Sequence, residues 1–220
     1  MTEALFVSII SAIITNAVAT ILFFKDAELK EALESKGKKY ISKIYIGFGF
    51  VINICIAVWL SYKVNDSGTI FMMKIIAMLS ILWPVCLIDL FTLRIPNRYI
   101  LYGLVARIVI LLLEILFKSS SVKITLITEA IAVAVLLIAS ILCSLCIKNS
   151  IGYGDIKLFI IMGLLLGLEG IWQAIFLSLI VMFLVSVVLL ISRKKTKKDS
   201  IPFGPAIAVG TYLSILMSGM

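Results

Sequence analysis

Long apolar runs recur through this chain of 220 residues and restrict it to one kind of fold. A helix that crosses a bilayer needs about 20 predominantly apolar residues in succession. Hydrophobic residues make up 62% and charged residues 15% of the chain, whereas a soluble domain is roughly half apolar and about a quarter charged. We therefore expect an all-α, polytopic membrane helical bundle that forms a single membrane domain over residues 1–220.

Eight apolar runs predict about eight transmembrane helices. They cover residues 4–24, 44–62, 70–88, 99–117, 125–147, 156–168, 171–192 and 203–218. Residues 1–69 should hold two spans joined by a short cytoplasmic helix over 25–43, where opposite charges recur four residues apart. Because the first residues carry no cluster of positive charge, we expect run 4–24 to be a permanent span rather than a cleaved signal peptide.

The basic residues predict the orientation of the chain in the membrane. Of the 20 Lys and Arg residues, 15 lie in one alternate set of connectors and three in the other. Cytoplasmic loops are enriched in Lys and Arg, so we expect a multi-pass protein of the cytoplasmic membrane with both termini outside. We attribute the net charge of +8 to this orientation and expect no nucleic-acid partner.

The composition also excludes several kinds of chemistry. The chain has no His, which excludes Ser-His and Cys-His nucleophilic systems and HExxH zinc sites. It lacks a phosphate loop and a dinucleotide-binding fingerprint. The four Cys residues lie in apolar runs and are expected to be buried and reduced, and the lone Cys143-x-x-Cys146 pair is weak support for a metal. We expect no metal and no cofactor.

Ionisable residues inside the apolar runs call for a structural or functional explanation, because placing each charged side chain in a bilayer costs a few kcal/mol of free energy. Lys74 lies near the outer end of its run and is expected to extend its charge to the interface. Arg107 and Glu114 are seven residues apart and so share one helix face, and Glu129 lies near the start of its run. An interhelical ion pair or hydrogen-bond anchor is favoured for this group over a role in transport.

Two aspartates at helix boundaries are the candidate chemical groups. Asp89 directly follows run 70–88 and Asp155 directly precedes run 156–168, so both are expected at the cytoplasmic face. A pair of carboxylates, one ionised and one protonated, can activate water for hydrolysis. The helix dipoles favour Asp155 as the ionised partner, although a simple capping role is the alternative for such residues.

Three motifs around these aspartates resemble the prepilin leader peptidase family, the GxGD membrane aspartyl proteases that process type IV pilin-like precursors. The first is Asp89-x6-Pro96-Asn97, the second Gly152-Tyr-Gly154-Asp155-Ile-Lys157, and the third Ile201-Pro202-Phe203-Gly204-Pro205. All three occur in the order found in the family, and the resemblance covers about residues 80–215. It identifies residues 70–220 as the peptidase core.

The resemblance implies Asp89 and Asp155 as the catalytic pair of an aspartic endopeptidase. The other site-shaping residues it implies are Pro96, Asn97, Gly152, Gly154, Lys157, Pro202, Phe203, Gly204 and Pro205. Lys157 would tune the Asp155 carboxylate or meet lipid phosphate. The implied substrate is a membrane-inserted prepilin-like precursor with a basic cytoplasmic leader, which acidic Asp26, Glu28, Glu31 and Glu34 could help attract. Its partners are this substrate and membrane lipids, and the oligomeric state stays open.

The chain departs from many bacterial relatives in one respect. They insert a cysteine-rich, methylation-associated domain after the first span, where this chain has only residues 25–43 without cysteine. We therefore expect peptidase activity without methyl transfer. Alternatives are another GxGD intramembrane protease, a small proton- or ion-coupled transporter, and a non-enzymatic assembly factor.

Overall fold

The computed structural model describes residues 2–26, 29, 31, 39–63, 68–117, 122–146, 152–192 and 201–218. These residues form seven α-helices and no strand, which confirms the predicted all-helical fold. The helices are α1 (Thr2–Phe24), α2 (Lys39–Lys63), α3 (Thr69–Thr92), α4 (Asn97–Phe117), α5 (Val122–Cys146), α6 (Tyr153–Ile191) and α7 (Gly204–Ser218). Helices α1 to α6 are long and apolar enough to cross a membrane, while α7 is shorter. The predicted helix over 25–43 lies largely outside the described residues.

Helix α3 is the centre of the bundle. It contacts α1, α2, α4, α6 and α7, and its residues 75–82 are almost completely buried. A helix that is hydrophobic on all sides is stable only when protein or lipid surrounds it. The outer helices instead expose large apolar side chains, such as Leu112, Ile138 and Phe183. This division of buried and exposed apolar surface is that of a multi-pass membrane bundle.

An aromatic contact attaches α2 to α3. The rings of Tyr45 and Trp83 stack with centroids 4.7 Å apart, and Trp83 Nε1 donates a hydrogen bond of 2.9 Å to the Tyr45 carbonyl. A Cβ atom at Gly49 would lie 2.0 Å from the Trp83 ring. Glycine at this position therefore makes room for the indole between the two helices.

Helix α6 is interrupted at Gly167, where φ is 68° and ψ is −175°. Positive φ of this kind suits glycine, because it has no Cβ atom. The predicted spans 156–168 and 171–192 both fall within α6, apart from Ser192 just after its end, and the interruption lies shortly before the predicted connector at Glu169-Gly170. The seven helices of the described residues therefore do not confirm the predicted number of eight transmembrane helices.

The contacts of the two halves of α6 show that the chain reverses direction at Gly167. The first half begins with Gly154 against Ile95 and ends at Gly167, which lines a cavity of about 260 Å³ together with Lys74. Lys74 belongs to the first turns of α3, whereas Ile95 follows its last turn. The second half returns along α7, with Ser178 in contact with Gly210. The two halves therefore run along the bundle in opposite directions.

Four charged side chains form a buried cluster between α3, α4 and α5. Lys74 Nζ lies 2.5 Å from Glu114 Oε1 and 2.8 Å from Glu129 Oε1. Arg107 Nη2 lies 3.0 Å from Glu114 Oε2 and 2.7 Å from Glu129 Oε2. Two positive and two negative charges thus cancel inside the bundle. The predicted ion pairing is confirmed, whereas the prediction that Lys74 extends to the interface is wrong, because Glu114 and Glu129 hold its ammonium among the helices.

The cysteines differ from their predicted burial. Cys55 and Cys143 are exposed on the outer surface of the bundle, and Cys86 is partly buried. The side chain of Cys146 lies outside the described residues. An apolar run facing lipid looks the same in sequence as one facing the core, which is why burial was wrongly predicted for Cys55 and Cys143.

A chain of polar side chains connects α1, α2 and α7. Tyr212 donates a hydrogen bond of 2.5 Å to Asn53 Oδ1, and Asn53 Nδ2 donates one of 2.7 Å to Asn16 Oδ1. Asn16 and Asn53 are both buried. Buried amides of this kind are stable only when they are hydrogen-bonded, so the network holds α7 against the two N-terminal helices.

We predict that Glu129→Ala lowers the free energy of unfolding by about 3–5 kcal/mol, because it leaves two buried cations with one carboxylate. The double substitution Lys74→Met with Glu129→Leu removes one charge of each sign and leaves the Arg107–Glu114 pair intact. It should recover most of the loss. The midpoint of thermal unfolding in detergent micelles measures both effects.

The control for this series is Glu169→Gln, which changes an exposed carboxylate. It should shift the midpoint very little. If the single and double substitutions lowered stability equally, charge balance would not be the reason for the cluster.

Candidate active site

Asp89 lies in the last turn of α3 rather than just after it, because the helix continues to Thr92. Leu93 ends the helix in the left-handed conformation, with φ 52°, and its N–H donates a 2.9 Å hydrogen bond to the Asp89 carbonyl. The chain then turns through Ile95 and buried Pro96 into α4. The first motif thus forms a tight connection that keeps the start of α4 beside Asp89.

The third motif supplies hydrogen-bond donors to the Asp89 carboxylate. The Gly204 N–H, at the start of α7, donates a hydrogen bond of 2.7 Å to Asp89 Oδ2, and the Phe203 N–H also bonds to this carboxylate. The N-terminus of a helix carries partial positive charge, which favours a negative group there. Asp89 is only 5% exposed, so these donors replace much of its hydration.

Glycine is required at position 204 by this contact. An added Cβ atom would lie 2.9 Å from Asp89 Cβ and 3.0 Å from Asp89 Oδ2. A Cβ contact shorter than 3.0 Å is essentially never seen in folded proteins, so a larger residue would push α7 away from α3. The close approach of the Gly204 N–H therefore depends on the missing side chain.

Asp155 lies in the first turn of α6 and is half-buried. Its carboxylate accepts a hydrogen bond from the Gly152 N–H, three residues earlier, as the acidic residue does in a helix capping box. A Cβ atom at Gly154 would lie 3.1 Å from Ile95 Cβ. Gly154 therefore lets the second motif pack directly against the connection that follows Asp89.

These contacts bring Asp89 and Asp155 to the same end of the bundle, which we call the site end. The two carboxylates interact electrostatically with each other. The negative charge of Asp89 disfavours ionisation of Asp155. In the described residues, no three Cys, Asp or Glu side chains gather as a metal site. The arrangement can therefore polarise a water molecule and a carbonyl group with one acid and one base.

The remaining predicted positions lie around the pair in different settings. Lys157 Nζ donates a 3.0 Å hydrogen bond to Asn97 Oδ1, and both residues are exposed. The Phe203 ring packs edge-on against Phe159, with centroids 5.9 Å apart. Pro202 and Pro205 line an apolar groove beside Asp89. The hydrogen bond between Lys157 and Asn97 thus joins the starts of α4 and α6.

Two residues near Asp89, Cys86 and Tyr45, were not identified as site residues from the sequence. Cys86 precedes Asp89 by one helical turn and interacts with it electrostatically, and the Cys86 thiol is hydrogen-bonded to the Tyr45 hydroxyl. Spacing of three residues on a helix was the available signal for Cys86. Tyr45 lies on α2, and nothing in the sequence pairs it with this turn of α3.

An ion pair connects the end of α1 to the start of α4. Arg98 pairs with Asp26, which is buried and also accepts a 2.9 Å hydrogen bond from the Leu29 N–H. The prediction that Asp26 helps to attract a basic segment is therefore wrong, because Arg98 neutralises it. Glu31 is exposed, and Glu28 and Glu34 lie outside the described residues.

Comparisons with known proteins agree with the motifs. A sequence model of the type IV leader peptidase family matches residues 76–191, which include Asp89 and Asp155 but not the third motif. The prepilin leader peptidase/N-methyltransferase of Bacillus subtilis (strain 168) is 35% identical over 68 residues, or 31% of this chain and 27% of that protein. The alignment thus spans about a quarter of that relative's length. No solved structure matches this chain.

We predict that Gly204→Ala destabilises the protein by about 1–3 kcal/mol, because the new methyl group overpacks the contact with Asp89. The matched control is Gly47→Ala, where an added Cβ meets no atom within 4 Å. Within helix α2 that change should stabilise the protein by up to about 1 kcal/mol. The midpoints of thermal unfolding of the two variants, measured in one detergent, should therefore shift in opposite directions. Shifts in the same direction would contradict the close contact between position 204 and Asp89.

Proposed function

We propose that this chain, which belongs to the type IV leader peptidase family, is a membrane aspartic endopeptidase. Asp89 and Asp155 would be its catalytic pair, and one peptide bond of a prepilin-like precursor its target. The family membership supports a leader peptidase in general. The aspartic mechanism, the site residues and the location below are our proposals.

The observation that carries the proposal is the meeting of three motifs from distant parts of the chain. The Gly204 N–H bonds Asp89 across 115 positions, and Gly154 packs against Ile95. Asp89 and Asp155 interact electrostatically. A pair of helix caps would need none of these long-range contacts, so the capping alternative accounts for less of the geometry than a dyad does.

In the proposed reaction, the ionised aspartate takes a proton from a water molecule while the water oxygen attacks the carbonyl carbon of the scissile peptide. The protonated aspartate transfers its proton to the carbonyl oxygen, which becomes one of the two hydroxyl groups of a tetrahedral intermediate. The aspartate that took the water proton then gives it to the leaving nitrogen, while the other aspartate takes a proton from one hydroxyl group. The C–N bond breaks, a carboxylic acid and an amine are released, and the pair again holds one proton. Each step uses general acid–base catalysis by the two carboxyl groups.

We assign the ionised role to Asp89, which reverses the assignment favoured by the dipole of its own helix. Two backbone N–H groups and the N-terminus of α7 meet the Asp89 carboxylate. Hydrogen bonds to the charged form of a carboxylate favour that form. Among the described residues, Asp155 accepts one backbone hydrogen bond, from Gly152, and we assign it the proton. The pair titrates as a unit.

We place the site end of the bundle at the cytoplasmic face of the membrane. The four connectors at the site end, together with the helix ends that they join, carry 15 of the 20 basic residues. The opposite directions of the two halves of α6 and the length of α7 are consistent with eight crossings and both termini outside. The first half of α6, residues 153–166, is about 21 Å long, so this crossing needs a locally thin bilayer.

The proposed substrate has a basic leader on the cytoplasmic side, followed by an apolar membrane segment. Cleavage at that junction fits a site at the membrane boundary. The curated relative is named for both peptidase and N-methyltransferase activity. We propose the peptidase activity alone, since residues 25–43, where the resemblance places a cysteine-rich insert, contain no cysteine. Membrane lipids are the other expected partners.

The alternatives receive less support from the geometry. A transporter would use Asp89, Arg107 and Asp155 as relay groups, yet Arg107 is engaged in ion pairs within a neutral cluster. Another kind of GxGD protease would carry Tyr before the first aspartate and Pro-Ala-Leu in the third motif. This chain has Ile88 there and Pro202-Phe203-Gly204-Pro205 in the third motif.

We predict that Asp89→Asn and Asp155→Asn each reduce cleavage of a co-expressed prepilin-like precursor by about 10²-fold or more, because each removes one half of the acid–base pair. Asn keeps the shape of Asp, so membrane insertion and thermal stability should change much less than activity. Immunoblotting of the precursor and the shortened product measures the effect.

The control is Glu169→Gln, an exposed carboxylate beyond Gly167 and away from the site end. It should leave cleavage unchanged. Full cleavage by either aspartate variant, in protein that reaches the membrane, would disprove the proposed dyad.

A further inference from the structure

An apolar groove lies beside Asp89, between the second half of α6 and the start of α7. It encloses about 360 Å³, and its ten lining side chains are all apolar. Among them are Leu90, Val181, Val185, Leu189, Pro202 and Val209. Val185 and Val209 are 41% and 47% exposed, so the groove opens at the surface of the bundle.

We propose that this groove binds the apolar segment of the substrate on the membrane side of the scissile peptide. The inference rests on the proposed endopeptidase function and adds to it the surface that positions the substrate.

The groove is continuous with the proposed catalytic pair. Leu90 directly follows Asp89, and Pro205 directly follows Gly204, whose N–H bonds the Asp89 carboxylate. Leu189 and Pro202 line the groove at this same end, while Val181 and Val209 lie farther along the two helices. An extended or helical segment that leaves the groove at the site end therefore arrives at Asp89.

The shape of the groove suits a segment that runs across the membrane. Val181, Val185 and Leu189 are spaced four residues apart and so share one face of α6. At 1.5 Å per residue they extend over about 12 Å, and the groove follows them away from the site end. This length accommodates about two turns of a helix or four residues of extended chain.

The two sides of the site differ in polarity. On the Asp155 side, Asn97 and Lys157 are exposed and polar. On the α7 side, the groove offers apolar surface alone. A polypeptide with a polar stretch directly followed by an apolar one complements both sides at once. A lipid acyl chain would complement only the groove, which is why we assign the groove to the substrate.

Site-directed photocross-linking tests this assignment. Benzoylphenylalanine is placed at Val185 or Val209 in the full-length protein carrying Asp155→Asn, together with a prepilin-like precursor in membranes. Matched control positions are Leu112 on α4 and Ile138 on α5, which are 56% and 58% exposed and apolar. We expect adducts to the apolar segment of the precursor from both groove positions, at a yield about tenfold above the controls.

A kinetic measurement supplements the cross-linking. Val185→Trp fills the groove and should raise the KM for the precursor about tenfold relative to Leu112→Trp. Equal adduct yields at groove and control positions, adducts to lipid alone, or adducts to a second copy of this chain would each overturn the proposal. So would an unchanged KM in Val185→Trp. Failure of the unsubstituted protein to cleave any precursor would instead overturn the proposed function, so the two failures are distinguishable.

Discussion

The burial of Asp89 is the constraint on which the arrangement of the site depends. A carboxylate that is 5% exposed needs hydrogen-bond donors to replace water, and the last turn of α3 has no spare N–H groups to offer. Those of Phe203 and Gly204 meet this need. Helix α7 must therefore start beside the end of α3. The apolar groove beside Asp89 follows from this placement, because α7 forms one of its walls.

Glycines make the packing of the three motifs possible. Gly154 allows Ile95 to approach α6, and Gly204 allows Asp89 to approach α7. Neither contact would survive an added side chain without a shift of a helix. The polar chain from Tyr212 through Asn53 holds α7 against α2, so the position of α7 is determined both at its start and farther along its length.

Much of this could be predicted from the sequence, since apolar length and motif order are local properties. The helical fold, the ion pairing of Arg107 with Glu114 and the meeting of three motifs follow from such patterns. The sequence predicts the reversal at Glu169-Gly170, two residues after its position at Gly167, because this connector contains few polar residues. The pairing of Asp26 with Arg98 joins residues 72 positions apart, and no local pattern predicts it. The burial of Cys55 and Cys143 was wrongly predicted, since lipid and core select the same residues.

The cluster of four charges also bears on how the protein enters the membrane during synthesis. Helix α4 carries Arg107 and Glu114, which neutralise each other within one helix. To the cluster, α3 contributes one charge at Lys74 and α5 one of opposite sign at Glu129. A lone charge in a bilayer costs about 3 kcal/mol by insertion scales. Since α3 is synthesised before α4 and α5, the Lys74 ammonium group has neither of its carboxylate partners, Glu114 and Glu129, until those helices follow. The charge balance of the cluster is therefore complete only once the three helices lie side by side.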